Sequence, residues 1–89
     1  MPYFIVNYQL NKDGQDYQAL WDEFKRLGAQ KAQRSVYLVD CNATDAAALL
    51  AHLRKLIDAN DMMLVCQLES RPASFRSYEG TQNWINERF

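Results

Sequence analysis

The chain has 89 residues, of which 48% are hydrophobic, 24% charged and 12% aromatic, and its formal net charge is −1. This composition indicates one small globular domain and excludes a disordered chain. The net charge excludes a global attraction to nucleic acid or to an anionic membrane, so any such attraction must come from local patches. The opening MPYFIVNYQL lacks a basic segment and a long apolar run, so we expect no signal peptide, no membrane partner and a cytoplasmic protein.

Residues 3–10, YFIVNYQL, alternate in the manner of a strand. One face should meet helices, and it consists of Phe4, Val6, Tyr8 and Leu10. The other face is apolar at one end and polar at the other, and it consists of Tyr3, Ile5, Asn7 and Gln9. A mixed face of this kind suits a protein interface with a polar patch.

An apolar stripe at helical spacing predicts a helix over residues 16–27. The stripe consists of Tyr17, Leu20, Trp21, Phe24 and Leu27. Asp16 is the expected N-cap, and Gly28 is the residue expected to end the helix. The aromatic members could form a base-stacking platform, but the helical spacing favours a role in the core.

Residues 31–41, KAQRSVYLVDC, predict one long strand or a bent strand pair. Thr44 is the expected N-cap of a second helix over residues 45–59. The apolar side of that helix consists of Ala46, Leu49, Leu50, Leu53, Leu56 and Ile57. Residues 62–68, MMLVCQL, predict a strand covered on both faces, because almost every position is apolar.

The order of these elements predicts an α+β, ferredoxin-like βαββαβ domain over residues 1–68. Both helices should cover one face of a four-stranded antiparallel sheet. The other face should stay open and invite a partner, most simply a second copy. Residues 69–89 form a C-terminal arm, in which Thr81 is expected to cap a short helix carrying Trp84 and Ile85, and we expect this arm to pack on the dimer partner.

The chain offers few residues for catalysis or metal binding. Cys41 and Cys66 lie in predicted strands without the spacing of a metal site or a disulfide framework. Asp13 and Asp40 are the weak candidates for a catalytic carboxylate, since a turn and a solvated strand end explain them. His52, the single histidine, suits a boundary position on the second helix better than a general base.

Basic residues concentrate in one segment that contains no acid, residues 25–34. A solvated edge accounts for such a run, and contact with a nucleic-acid backbone is the functional alternative. The candidate contacts, with two from the arm, are Lys25, Arg26, Lys31, Arg34, Arg71 and Arg76.

Taken in order, Tyr8-Gln9-Leu10, residues 33–37 and residues 58–68 resemble three segments of the small CRISPR-associated endoribonuclease family Cas2. Tyr8-Gln9-Leu10 stands where the family carries tyrosine, aspartate and an aliphatic residue at the end of the first strand. Residues 33–37, QRSVY, resemble the family's Gln-x-Ser-Val-aromatic segment, and residues 58–61, DAND, followed by MMLVCQL, resemble its fourth-strand region. Residues 11–17, NKDGQDY, are similar to the SinR-family branch, with the VapD toxins as more distant relatives.

The resemblance implies a homodimer whose sheets pack together, with each C-terminal segment adding to the partner's sheet. The dimer contacts would then include Tyr3, Ile5, Asn7, Gln9, Trp84 and Ile85. Some family members are metal-dependent nucleases of RNA or DNA. Others are non-catalytic dimers that hold duplex DNA between CRISPR integrase subunits, so nucleic acid and an integrase are the implied partners.

The family's proposed catalytic residue is the aspartate that ends the first strand, one from each subunit around a magnesium ion. Gln9 occupies that position here. Magnesium prefers carboxylates and water, and an amide brings no negative charge to the ion. We therefore assign no catalytic residue, no metal ligand and no cofactor, magnesium being required only by an active nuclease. Three hypotheses stay open, namely a binder of duplex DNA or RNA, an active metal-dependent nuclease, and a protein-interaction dimer without nucleic acid.

Overall fold

The computed structural model of the chain describes residues 2–11 and 17–89. The predictions for Asp13 and for Asp16 as an N-cap lie outside these residues. The elements in chain order are β1 (Tyr3–Gln9), α1 (Gln18–Arg26), β2 (Gln30–Gln33), β3 (Val36–Asp40), α2 (Ala46–Leu53), a short 3-10 helix (Arg54–Leu56), β4 (Met62–Leu68) and α3 (Thr81–Arg88). The antiparallel strands lie in the order β2-β3-β1-β4. This arrangement confirms the α+β, ferredoxin-like prediction.

The helix-facing side of the sheet forms the main core. In register, Val6 of β1 lies opposite Tyr37 of β3 and Val65 of β4, so these three side chains share one face. The buried members of this core are Phe4, Val6, Tyr8, Leu20, Phe24, Val39, Cys41, Leu49 and Leu53. The predicted inward face of the first strand is therefore confirmed.

The second helix differs from its prediction at both ends. Its N-cap is Asp45 rather than Thr44, and the Asp45 carboxylate accepts a hydrogen bond from the Ala48 backbone N–H at 2.9 Å. The regular α-helix ends at Leu53 instead of residue 59. Beyond it, Asp58 donates its backbone N–H to the side chain of Asp61 at 2.7 Å, and this side-chain acceptor competes with continued helical bonding.

The prediction that β4 is covered on both faces is wrong. β4 is an edge strand, and Met62 and Leu64 expose 59% and 69% of their surface. The alternate residues Met63 and Val65 pack against the main core. Apolar composition alone did not distinguish a covered strand from an edge strand with an open face.

The face opposite the main core is half covered, by α3. Trp84 and Ile85 are buried there with Ala32 of β2 and Leu38 of β3. The arm, which we expected to pack on a dimer partner, thus packs in this structure on the sheet of its own chain. The uncovered half of this face carries Asn7, Gln9, Met62, Leu64 and Cys66.

An ion pair between Arg88 and Asp40 fixes the C-terminal end of α3 on the sheet. Arg88 donates from Nε to Asp40 Oδ2 at 3.0 Å, and its guanidinium lies 4.4 Å from the centre of the Trp84 ring. At the other end, Gly80 is the N-cap in place of Thr81, with a φ of 93° that favours glycine. No helix within residues 2–11 and 17–89 combines the length and apolar character that crossing a membrane requires.

Candidate nucleic-acid interface

Gln9 lies at the end of β1, on the uncovered half of the sheet. Its side chain is exposed and donates from Nε2 to Asn11 Oδ1 at 2.9 Å. Directly opposite it in register is Met62, and Asn7 points to the same face two residues earlier. Among the described residues, the side chain bonded to Gln9 and the polar side chain next to it on this face of β1 are both neutral amides, those of Asn11 and Asn7.

The carboxylate tied to this end of β1 belongs to Asp61, and it has a structural role. Asp61 Oδ1 accepts the backbone N–H of Asn11 at 2.7 Å and the hydroxyl of Tyr17 at 2.8 Å. Its Oδ2 accepts the Asp58 N–H, and Asn11 also donates to the Asn60 carbonyl at 2.8 Å. These bonds join the segment after β1 to the turn before β4.

Asp40 lies too far from Gln9 to replace a missing carboxylate. In register Asp40 faces Tyr3, the first residue of β1, whereas Gln9 is the last. Six residues of extended strand separate the two ends by about 20 Å. Asp40 is also paired with Arg88. Within the described part of the chain, no three histidine, cysteine, aspartate or glutamate residues group together as a metal site.

His52 belongs to an ionic cluster between α1 and α2. Glu23 accepts from Arg26 at 2.6 and 2.7 Å and lies 2.6 Å from His52 Nε2. The hydrogen bonds from Arg26 and then from His52 lower the pKa of Glu23 to about 2. Arg26 is therefore engaged within its own helix, and the cluster connects the two helices.

Four of the predicted basic residues lie on or next to β2. This strand forms one edge of the sheet, and β4 forms the other. Lys31 lies on β2, and Arg34 lies in the turn to β3. Tyr78 donates its backbone N–H to the Ala32 carbonyl at 2.9 Å, which brings Arg76 to the same edge. Lys25 occupies the last turn of α1, just before β2. We call Lys25, Lys31, Arg34 and Arg76 the basic edge.

All four side chains of the basic edge are exposed. Glu79 is an acidic residue in the arm segment that Tyr78 joins to β2. Arg71 lies elsewhere, because its guanidinium donates to Asn86 Oδ1 of α3 at 2.5 Å. The structure thus separates Arg26 and Arg71 from the other predicted contacts.

Aromatic side chains lie directly behind the basic edge. The rings of Phe24 and Tyr37 stack at 3.9 Å with an interplanar angle of 9°. Lys31 Nζ lies 5.8 Å from the centre of the Trp21 ring. Tyr8 donates its hydroxyl to the Arg34 carbonyl at 3.3 Å, and burial, followed by its neighbours Tyr37 and Tyr78, raises the pKa of Tyr8 to about 12.

The amino-acid sequence also matches the model of a known protein family. The family model described as CRISPR associated protein Cas2 matches residues 1–84. The chain belongs to the Cas2 family. Cas2 membership gives the protein a CRISPR-associated, nucleic-acid-related function. The likeness to the SinR branch and to the VapD toxins stays a prediction.

Within this Cas2 chain, sequence reasoning missed how Tyr78 and Trp21 relate to the basic residues. Tyr78 brings the arm to β2 through a backbone hydrogen bond, and no side-chain pattern signals such a bond. Trp21 was assigned to the core with Leu20 and Phe24. Its half-buried position beside Lys31 becomes visible only once α1 and β2 are placed together.

Proposed function

We propose that this Cas2-family protein binds the phosphate backbone of duplex DNA or RNA and does not cleave it. The observation that carries the proposal is the basic edge, four exposed cations on adjoining segments at one side of the sheet. Lysine and arginine side chains that neutralise phosphates release condensed counterions, and this supplies affinity without a net positive protein. A net charge of −1 is compatible with such local binding.

The non-catalytic part of the proposal concerns Gln9. We propose that Gln9 occupies the position at which other members of the family carry a metal-binding aspartate. The side chains that the contacts place around it in the described residues are Asn7, Asn11 and Met62. Neutral amides and a thioether do not fit magnesium, which favours charged oxygen ligands. For this reason we derive no metal-dependent step for the protein.

The proposed assembly is a homodimer that contacts a CRISPR integrase in the cytoplasm. The exposed apolar side chains Met62 and Leu64 lie beside Gln9 on the open half of the sheet, where a second copy would bury them. The same residues would serve a protein-interaction dimer without nucleic acid. The binding experiment below separates the two functions.

The test is a fluorescence-anisotropy titration of a labelled duplex at several salt concentrations. The logarithm of affinity should fall linearly with the logarithm of salt, with a slope of about −0.9 per phosphate contact. The double variant K31A/R34A should bind more weakly and reduce the slope by about 2, because two contacts are lost.

The matched control is R54A/K55A, which removes the same charge from the exposed 3-10 helix that follows α2, the helix packed on β4 at the opposite side of the sheet. This control should leave both affinity and slope near those of the unmodified protein. Equal losses in the two double variants would refute the assignment of the basic edge. Absence of duplex binding at low salt would favour the protein-interaction dimer.

A further inference from the structure

The proposed contacts with nucleic-acid phosphates give Trp21 no role, although this side chain lies against the basic edge. In α1, Leu20 and Phe24 are fully buried and supply the contacts with the main core. Trp21 packs at the margin of that core and stays partly exposed. The other tryptophan, Trp84, exposes only 4% of its surface. A large aromatic ring at a half-open position can still offer a contact surface to a ligand.

The surroundings of Trp21 combine aromatic and cationic groups. Lys31 and Tyr37 lie directly opposite each other in the β2–β3 register, so both point toward α1. The Tyr37 ring lies 6.5 Å from the Trp21 ring at an interplanar angle of 28°, and Lys31 Nζ lies 5.8 Å from the Trp21 centre. Lys25 is one helical turn after Trp21 on the same side of α1.

We infer that Trp21, backed by Tyr37, stacks on one unpaired nucleobase while Lys31 and Lys25 contact the phosphates next to it. This inference rests on the proposed function and names its ligand more closely, as a duplex that ends in a single-stranded extension. Base-paired nucleotides keep their faces inside the helical stack, whereas an unpaired base can place its face on an aromatic side chain. Such stacking tolerates any base, because every base has a π-face.

Binding must therefore depend on bases as well as on phosphates. The experiment compares three labelled ligands, namely a blunt duplex, the same duplex with a single-stranded extension, and the duplex with an extension of abasic nucleotides. The two extended ligands carry the same number of phosphates. The natural extension should bind on the order of tenfold more tightly than the abasic one, the effect of one stacked base.

The Trp21→Leu variant should reduce the affinity ratio between the natural and the abasic extension to about one, since leucine keeps the apolar contact but has no ring. The control Phe89→Leu removes an aromatic ring that contacts Tyr3 and Trp84 on the opposite sheet face, and it should retain the preference. The comparison of natural with abasic extension in the unmodified protein needs no variant. It stays decisive even if Trp21→Leu does not fold.

Tryptophan fluorescence gives a second readout. In Trp84→Phe the indole of Trp21 is the only one left, since the chain has two tryptophans. The natural extension should quench its emission, and the abasic extension should not. Equal affinity and equal quenching by both extensions, with normal binding of the blunt duplex, would overturn this inference alone. Loss of blunt-duplex binding would instead remove the proposed function on which it rests.

Discussion

Replacement of Trp84 by alanine tests whether α3 belongs to the fold of its own chain. Trp84 is almost fully buried, contacts the Tyr3 ring edge-on at 5.9 Å, and carries the Arg88 guanidinium on its ring. Truncation of a buried tryptophan to alanine costs about 3–5 kcal/mol. A domain of this size has a total stability of about 4–13 kcal/mol. The variant should therefore lose a large part of its stability, and its melting temperature should fall by about 15–30 °C.

Replacement of Trp84 by phenylalanine should have a much smaller effect. The indole Nε1 is buried without a hydrogen-bond partner among the described residues, and such a group costs about 1–3 kcal/mol. Phenylalanine removes this cost while it gives up part of the buried ring area. The two effects oppose each other, so the net change should be within about 1 kcal/mol.

Urea denaturation followed by circular dichroism measures both variants, with Phe75→Ala as a control. Phe75 exposes 84% of its surface, and its truncation should change the free energy of unfolding by less than about 0.5 kcal/mol. A cost below about 1 kcal/mol for Trp84→Ala would refute the docking of α3 on the sheet. A cost that grows with protein concentration would place the arm on a partner subunit instead.

Three further predictions concern named hydrogen bonds and titrating groups. Asp61→Ala should lower the free energy of unfolding in urea by about 2–3 kcal/mol, because the Asp61 carboxylate accepts hydrogen bonds from three separate segments of the chain. Glu23→Gln should cost about 0.5–1 kcal/mol at neutral pH, since its partners are exposed. Because the pKa of Glu23 is lowered to about 2, this contribution is present above the ordinary glutamate pKa and disappears as the pH falls from about 5 to 2. Between pH 10 and 12 the unmodified protein should lose stability, because the raised pKa of Tyr8 keeps it protonated in the folded state while the unfolded chain ionises, and Tyr8→Phe should weaken that loss.

Controls exist for the acidic variants. Glu87→Gln removes an equal charge from an exposed side chain that lies 3.8 Å from Arg88, and it should change stability little at any pH. A pH profile for Glu23→Gln that runs parallel to the unmodified profile down to pH 2 would contradict the ion-pair explanation. A tolerated Asp61→Ala would show that water replaces the carboxylate without loss.

The sequence predicted the element order well because alternation and helical spacing are local signals. Phe4, Val6 and Tyr8 could be assigned to the buried face from their period of two alone. The end of α2 could not, because Asp61 takes the Asp58 N–H through a side-chain bond that no hydrophobic pattern records. The open face of β4 was missed for a similar reason, since Met62 and Leu64 are apolar residues of the types that are usually buried, although both are exposed here.

The candidate site was predictable in part. A charge run identified Lys25, Lys31 and Arg34 as neighbours in sequence, and the short path from α1 to β2 keeps them on one edge. The arm could not be placed, because its position depends on the backbone bond from Tyr78 to Ala32. The surroundings of Trp21 likewise depend on how α1 packs on β2, a tertiary contact that periodicity does not specify.

The proposal that this protein does not cleave nucleic acid depends on Gln9, because an amide at the end of β1 brings no negative charge to a divalent metal ion. Titration of Mn²⁺ followed by electron paramagnetic resonance tests it on the unmodified protein, on Gln9→Ala and on Gln9→Asp. We expect the first two to leave the ion equally free in solution, whereas paired carboxylates in Gln9→Asp should bind it. Tight binding by the unmodified protein that disappears in Gln9→Ala would contradict the proposal.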